Sequence, residues 1–262
     1  MSIVLIAAAF YLLAGWLVVR RLLAVGGARA GFWLLTALSA VALHALTHVL
    51  AWRQEGGLDL HLFAALSLVG LGMSALTTLY AAGGRLGALG VVVYPIAAAS
   101  LLAYGFADSR VARELDWRLE LHAWLALLAY ATLAIAALLA IMLWLQERAL
   151  RRHQFRGWTR VLPPLTELET LLFRSIGVGF VLLSATLLTG VLFVHDFFAQ
   201  RLMHKSVLSA LSWLVFGALL LGRWRYGWRG TRAVRWTLTA MALLVLAFFG
   251  SKFVLELLLG RA

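Results

Sequence analysis

The stretch LHAWLALLAYATLAIAALLAIMLWL, residues 121 to 145, runs for 25 residues without a single Asp, Glu, Lys or Arg. A helix needs roughly 20 apolar residues to cross about 30 Å of hydrocarbon, so this segment alone predicts a membrane span. The rest of the chain agrees. Of its 262 residues 63% are hydrophobic and only 13% charged, whereas about a quarter of a soluble domain is charged. The fold expected is all-α, a single integral membrane domain over residues 1 to 262. Eight spans are expected, at 3 to 19, 32 to 52, 60 to 82, 87 to 104, 121 to 145, 171 to 194, 206 to 222 and 234 to 257. The third and fourth are the hardest to separate, because only Gly83, Gly84 and Arg85 lie between them and Pro95 interrupts the fourth. The first span is not read as a cleavable signal, since no basic residue precedes it and Arg20 and Arg21 follow it.

Basic residues set the expected orientation. With the amino terminus outward, the inner connections carry Arg20, Arg21, Arg29, Arg85, Arg148, Arg151, Arg152, Arg156, Arg160, Arg223, Arg225, Arg229, Arg232 and Arg235. The outer ones carry Arg53, Arg110, Arg113, Arg118, Arg201, Lys205 and Arg261. An excess of basic residues marks the cytoplasmic side, so both termini are expected outside. The net charge of +12 is then a topology signal and an attraction to lipid headgroups, and nucleic acid is not an expected partner. Pro163 and Pro164 are expected to break the chain between the fifth and sixth spans, in a basic cytoplasmic connection lying along the headgroups.

In that frame six of the seven histidines fall in the outer layer and only His153 lies on the inner side. His61 and His195, at helix ends, read as interfacial polar residues. His204, beside Lys205, has the same plain explanation available. His122 sits at the mouth of the fifth span, with Trp117, Trp124 and Tyr130 nearby as ring-stacking walls. His44 and His48, in HALTHVLAW (44 to 52), stand inside an apolar run. A polar side chain there marks either a site or a hydrogen bond between helices. Their spacing suits two ligands of one metal ion but cannot hold a haem iron from both faces, which takes histidines from two helices. With no cysteine in the chain, covalent haem attachment through Cys-x-x-Cys-His is excluded.

Other chemistry finds little support. No HExxH, GxSxG or Walker loop is present. The carboxylates Asp108, Glu114, Asp116 and Glu120 alternate with Arg110, Arg113 and Arg118 in one self-neutralising loop. Gly26, Gly27, Gly56, Gly57, Gly83 and Gly84 read as turns, and Gly177, Gly179 and Gly190 as contacts for close helix packing. Lys252 and Glu256 read as an intrahelical pair.

The segments LELHAWLALLAY (119 to 130), WLQERALRR (144 to 152), LPPLTELETLLFR (162 to 174), LLTGVLFVHDFF (187 to 198), HKSVLSALSWLVFGALLLGRWRYGWRG (204 to 230) and AFFGSKFVLELL (247 to 258) resemble the cytochrome c assembly family of haem-handling membrane proteins. The likeness is to its CcsA and CcmC type, and nearest to a short bacterial inner-membrane branch, the YpjD type. It covers roughly residues 40 to 258 and is strongest from 120 onward. It implies a bacterial inner-membrane protein that presents noncovalent haem b at its periplasmic face, with His122 matching the first periplasmic histidine. The second axial nitrogen would come from His44 or His48, or from His204. A membrane or periplasmic protein partner is implied as well. The larger members carry a tryptophan-rich segment ending in Trp-Asp-Pro-Lys-Glu. Here only Lys205 and Trp213 of it can be matched, and FFGSKF replaces the stretch that bears the second periplasmic histidine. Three readings therefore stand: a haem-binding assembly factor, a membrane subunit that keeps the fold without haem, and a metal or proton pathway along the His44 and His48 face.

Overall fold

The computed structural model describes residues 1–23, 31–82, 87–107, 116–152, 163–193, 200–250 and 252–253, with backbone alone at 200–204. Among them are eight helices long and apolar enough to cross a membrane: α1 (Ser2–Leu23), α2 (Gly31–Glu55), α3 (Leu62–Ala82), α4 (Gly87–Phe106), α5 (Trp117–Arg151), α6 (Leu165–Phe193), α7 (Gln200–Tyr226) and α8 (Gly230–Val245), the last continuing into a π-helical turn, Leu246–Gly250. All eight expected spans are present. The chain gathers into two compact units, one holding α1 to α4 and the other α5 to α8.

In the first unit α1 packs on α2 and α4, and α3 packs on the same two, closing a four-helix ring. Its core alternates small and large side chains. Ala7, Ala8, Ala14, Ala37, Ala40, Ala97 and Ala98 let the backbones approach, and Tyr11 and Tyr94 fill the space between them. Apolar residues that would be buried in water face outward instead, among them Leu5, Leu12, Trp16 and Leu35. That inversion is what a lipid solvent imposes. Pro95 does not end α4, which runs through it to Phe106. A side chain on Gly15 would stand 3.8 Å from Pro95 Cδ, so the bare backbone of α1 closes over the ring.

In the second unit α5 packs on α6 and α8, and α7 on the same two. α5 is 35 residues long, about 52 Å at about 1.5 Å per residue, and extends past the hydrocarbon. It reaches Arg151 because Gln146, Glu147 and Arg148 are good helix formers. α6 begins at Leu165, a turn and a half before the expected 171, because the two prolines start a helix here. Pro164 offers its carbonyl to the amides of Glu167 and Leu168 at 2.9 and 3.1 Å, and a residue lacking N–H costs nothing in a first turn. The rest of that connection, 153–162, lies outside the described residues, as do His195, Glu256, Asp108 and Glu114. Gly56 has a φ of +71° at the end of α2, a turn as expected.

The glycines of α6 divide. A Cβ on Gly179 would meet Leu133 Cδ2 of α5 at 2.5 Å, whereas one on Gly177 meets nothing within 4 Å. At the start of α8, Arg229 makes no side-chain cap. Glu169 of α6 supplies the acceptor instead, taking the Gly230 amide at 3.0 Å and the Arg229 guanidinium at 2.9 Å.

Gly179→Ala should lower stability by about 1 to 3 kcal/mol through overpacking, while Gly177→Ala is neutral or gains up to about 1 kcal/mol of helix propensity. Thermal unfolding in detergent measures both. By the same measurement Glu169→Ala, which strands a helix-terminal donor, should cost about 1 to 3 kcal/mol. Glu169→Gln, which keeps an acceptor for Gly230, should cost less.

Candidate functional site

The second unit contains a cavity of about 230 Å³. His122 of α5, Thr186 and Gly190 of α6, and Lys205 of α7 line it together with Tyr130 and Phe248. Its shape follows from two local features. Gly190 leaves room for the imidazole, since a Cβ there would lie 3.2 Å from His122 Cε1. On the other side Tyr130 donates its hydroxyl to the Leu244 carbonyl at 2.5 Å. Just beyond that carbonyl the helix passes into the π turn that carries Phe248. Such turns insert a local widening into a helix, and here the widened turn brings a phenyl ring to the cavity wall.

His122 is held from α6, by the Thr189 hydroxyl and by the backbone of Thr186. Its Nδ1 lies 3.0 Å from Thr189 Oγ1. That hydroxyl donates to the carbonyls of Ala185 and Thr186 at 2.9 and 3.0 Å, so it accepts from Nδ1–H. The network thus assigns the proton to Nδ1 and the lone pair to Nε2. A metal-binding histidine is usually oriented this way, one nitrogen fixed by an outer partner and the other left as ligand.

The cavity offers one imidazole in the ligating tautomer, apolar walls from Ala126, Leu183 and Phe248, and a cation, Lys205, with the hydroxyls of Ser206 and Ser209. These are the kinds of groups that would hold a haem by one edge. The cavity's volume lies below the roughly 300–1,000 Å³ of pockets that enclose a drug-sized ligand, so a macrocycle held here would stay partly outside the walls. Neither Trp117 nor Trp124 forms part of this lining: they are 62% and 40% exposed, and Trp117 pairs with Phe193. Of the rings expected beside His122, Tyr130 is the one that lines the cavity.

His44 and His48 belong to the first unit, where they join a network of hydroxyls. His44 is wholly buried and uses both ring nitrogens, Nδ1 with Tyr11 at 3.1 Å and Nε2 with Ser67 at 2.8 Å. His48, half-buried, bonds the same Ser67 through Nε2 at 3.0 Å and stacks on Tyr104. His61 pairs with Asp59 at 2.7 Å. Among the described residues no three His, Asp or Glu side chains converge to hold a bare metal ion. The backbone of His204 lies in α7, one residue before Lys205, while His153 lies outside the described residues.

Sequence reasoning missed Thr189 and Gly190 as the orienting pair for His122, and Tyr11, Ser67 and Ser74 as partners of the buried histidines. A signal existed for the second set: Ser67 and Ser74 are seven apart, one face of a helix, in a span whose polar residues otherwise cluster near its end, at Thr77 and Thr78.

Residues 29–259 match the family described as Cytochrome C assembly protein. The inner membrane protein YpjD of Escherichia coli K12 is 32% identical over 247 residues, 92% of this chain and 93% of its own. An uncharacterized 28.8 kDa protein of Azospirillum brasilense is 41% identical over 144 residues, 54% of this chain and 53% of its own. The cytochrome c biogenesis protein CcsA of Prochlorococcus marinus MIT 9515 is 33% identical over 89 residues, 33% of this chain and 28% of its own. No solved structure matches. With its match covering 231 of 262 residues and a similar protein aligned along nearly the whole chain, the protein belongs to the cytochrome c assembly family.

Proposed function

We propose that this protein is a multi-pass factor of the bacterial inner membrane that binds haem noncovalently for cytochrome c assembly, with His122 as the iron ligand. The observation that carries the reading is the His122 and Thr189 pair beside the cavity, in a chain of this family. Bound haem would supply the iron chemistry. The protein's part is to hold the imidazole with Nε2 free, to shield one edge of the ring with Tyr130 and Phe248, and to place Lys205 for a carboxylate. A single described imidazole makes a weaker grip than two, which suits a ligand that is passed on. Both termini face outward in this proposal, which brings the Lys205 end of α7 to the periplasmic side. A protein acceptor in the membrane or periplasm completes it.

A structural role is favoured for one of the candidates. Both nitrogens of His44 are already engaged, so the first reading does not need it as a ligand.

Protein purified from haem-replete cells should show a Soret band that His122→Ala abolishes. Thr189→Val should weaken haem affinity by about 10- to 100-fold, the usual cost of losing an orienting partner. His44→Phe, His48→Ala and His153→Ala should leave the band in place, and the effect of His204→Ala tests it as a second ligand. Colourless protein that takes up no added haem would overturn the proposal. Reporter fusions test the orientation separately: those placed after Ala262 and near Gly56 should both report the outer compartment, and cytoplasmic activity from both would reverse it.

A further inference from the structure

The first unit contains a set of bonds that haem handling in the second does not use. Ser74 Oγ donates to the Leu71 carbonyl at 2.9 Å. It must therefore accept from Tyr11, 2.7 Å away. Tyr11, having given its proton to Ser74, accepts from His44 Nδ1–H. His44 Nε2 then carries a lone pair and takes the proton of Ser67 Oγ. Ser67, its proton given, accepts from His48 Nε2–H, which leaves the lone pair of His48 on Nδ1. Every bond runs in one direction, from half-buried His48 through Ser67, His44 and Tyr11 to Ser74. Four of these five residues, Tyr11, His44, Ser67 and Ser74, are 0% exposed.

The two ends differ. At the His48 end, Tyr104 stacks on His48 with ring centroids 4.7 Å apart and on His61 at 5.9 Å. A cavity of about 420 Å³, lined among others by Thr47, Gln54, Ser2 and Tyr104, reaches the same tyrosine. The titratable groups here are Asp59 and His61 before α3, Glu55 closing α2, Tyr104 of α4 and the amino group of Met1, which lines this cavity. His61 Nε2 and Glu55 Oε2 are buried without a hydrogen-bond partner. At the other end Ser74 is tied to a backbone carbonyl, and Tyr94 of α4 bonds Thr78 rather than Ser74. That end is closed.

We propose that the first unit is a proton half-channel, in which His48, Ser67 and His44 carry a proton from the Asp59 end of the bundle to a buried imidazole and back. The transfer balances without a co-reactant. A proton binds His48 Nδ1; the Nε2 proton of His48 passes to Ser67 Oγ; the proton of Ser67 passes to His44 Nε2. His48 is neutral again and His44 is an imidazolium still donating to Tyr11. Ser74, held by Leu71, stops the relay there, so the bundle takes up a proton without leaking one across the membrane.

The test is ¹⁵N NMR of histidine-labelled full-length protein in lipid nanodiscs over an acid titration, with the His122 signal as the internal check of folding. The neutral and imidazolium forms of His44 should interconvert fast enough to give one averaged signal at Nε2 despite the burial of the ring. Ser67→Ala and His48→Phe should each slow that interconversion by about tenfold or more, since protonation then waits for local opening of the bundle. Tyr11→Phe, which cuts the network on the closed side, should leave it fast. Interconversion in the unaltered protein as slow as in Ser67→Ala, or slowed by Tyr11→Phe but not by Ser67→Ala, would overturn the half-channel.

Discussion

In hydrocarbon a polar group has no water to fall back on, and each one must find its partner inside the protein. The two units of this chain are organised around that constraint. Their helices bury alanine, glycine and leucine faces against one another and turn leucine, valine and tryptophan toward lipid. The buried hydroxyls mostly answer to carbonyls of their own helices, as Thr132, Thr186 and Thr237 do. Imidazoles have no such local solution, because a ring nitrogen reaches past its own helix. For His44 and His122 the partners come from other helices, so each of these two fixes a helix pair, while His61 is met by Asp59 two residues before it.

This is why two histidines that look alike in the sequence end in different chemical states. Three helices meet at His44, and the hydroxyls of Tyr11 and Ser67 occupy both its nitrogens. The ring is a junction of the bundle, and a ligand would have to break two bonds to use it. His122 meets a threonine whose own proton is already committed to its helix. The threonine can only accept, and the outcome is one fixed nitrogen and one lone pair beside a cavity. A difference of one hydroxyl partner separates a structural imidazole from one prepared to bind.

Much of the fold was legible because hydropathy is read at the scale of a whole helix. The 25-residue run in α5 leaves one reading open, and even the Pro95 segment, expected to be the least secure, is continuous. Boundaries were less legible. LTELET in α6 is polar enough to read as a connection, yet it is helical because the prolines before it nucleate the turn and Glu169 serves α8. The candidate site was legible only as a list of histidines. Which nitrogen each offers depends on Thr189, Ser67 and Tyr11, and nothing in their spacing along the chain to His122 or His44 announces the contact. The gathering of the spans into two four-helix rings is likewise a matter of which faces meet, and hydropathy is nearly uniform around α1 to α7, with only α8 markedly one-sided.

The end of α8 shows how the cavity depends on a departure from regular structure. Near its end α8 carries Phe248, Phe249 and Gly250 in a π turn, with Lys252 above the Phe248 ring at 5.5 Å. A regular helix would carry these residues around on a 3.6-residue period. The π turn adds about one residue to the turn and shifts the phase of all that follows by roughly 100°. Tyr130, bonded to the Leu244 carbonyl just before the π turn, anchors α8 near where the phase changes and packs on both phenyl rings. The shifted turn closes that wall of the cavity with the carbon of Phe248, opposite the imidazole of His122, and the charge of Lys252 rests on the aromatic face behind it.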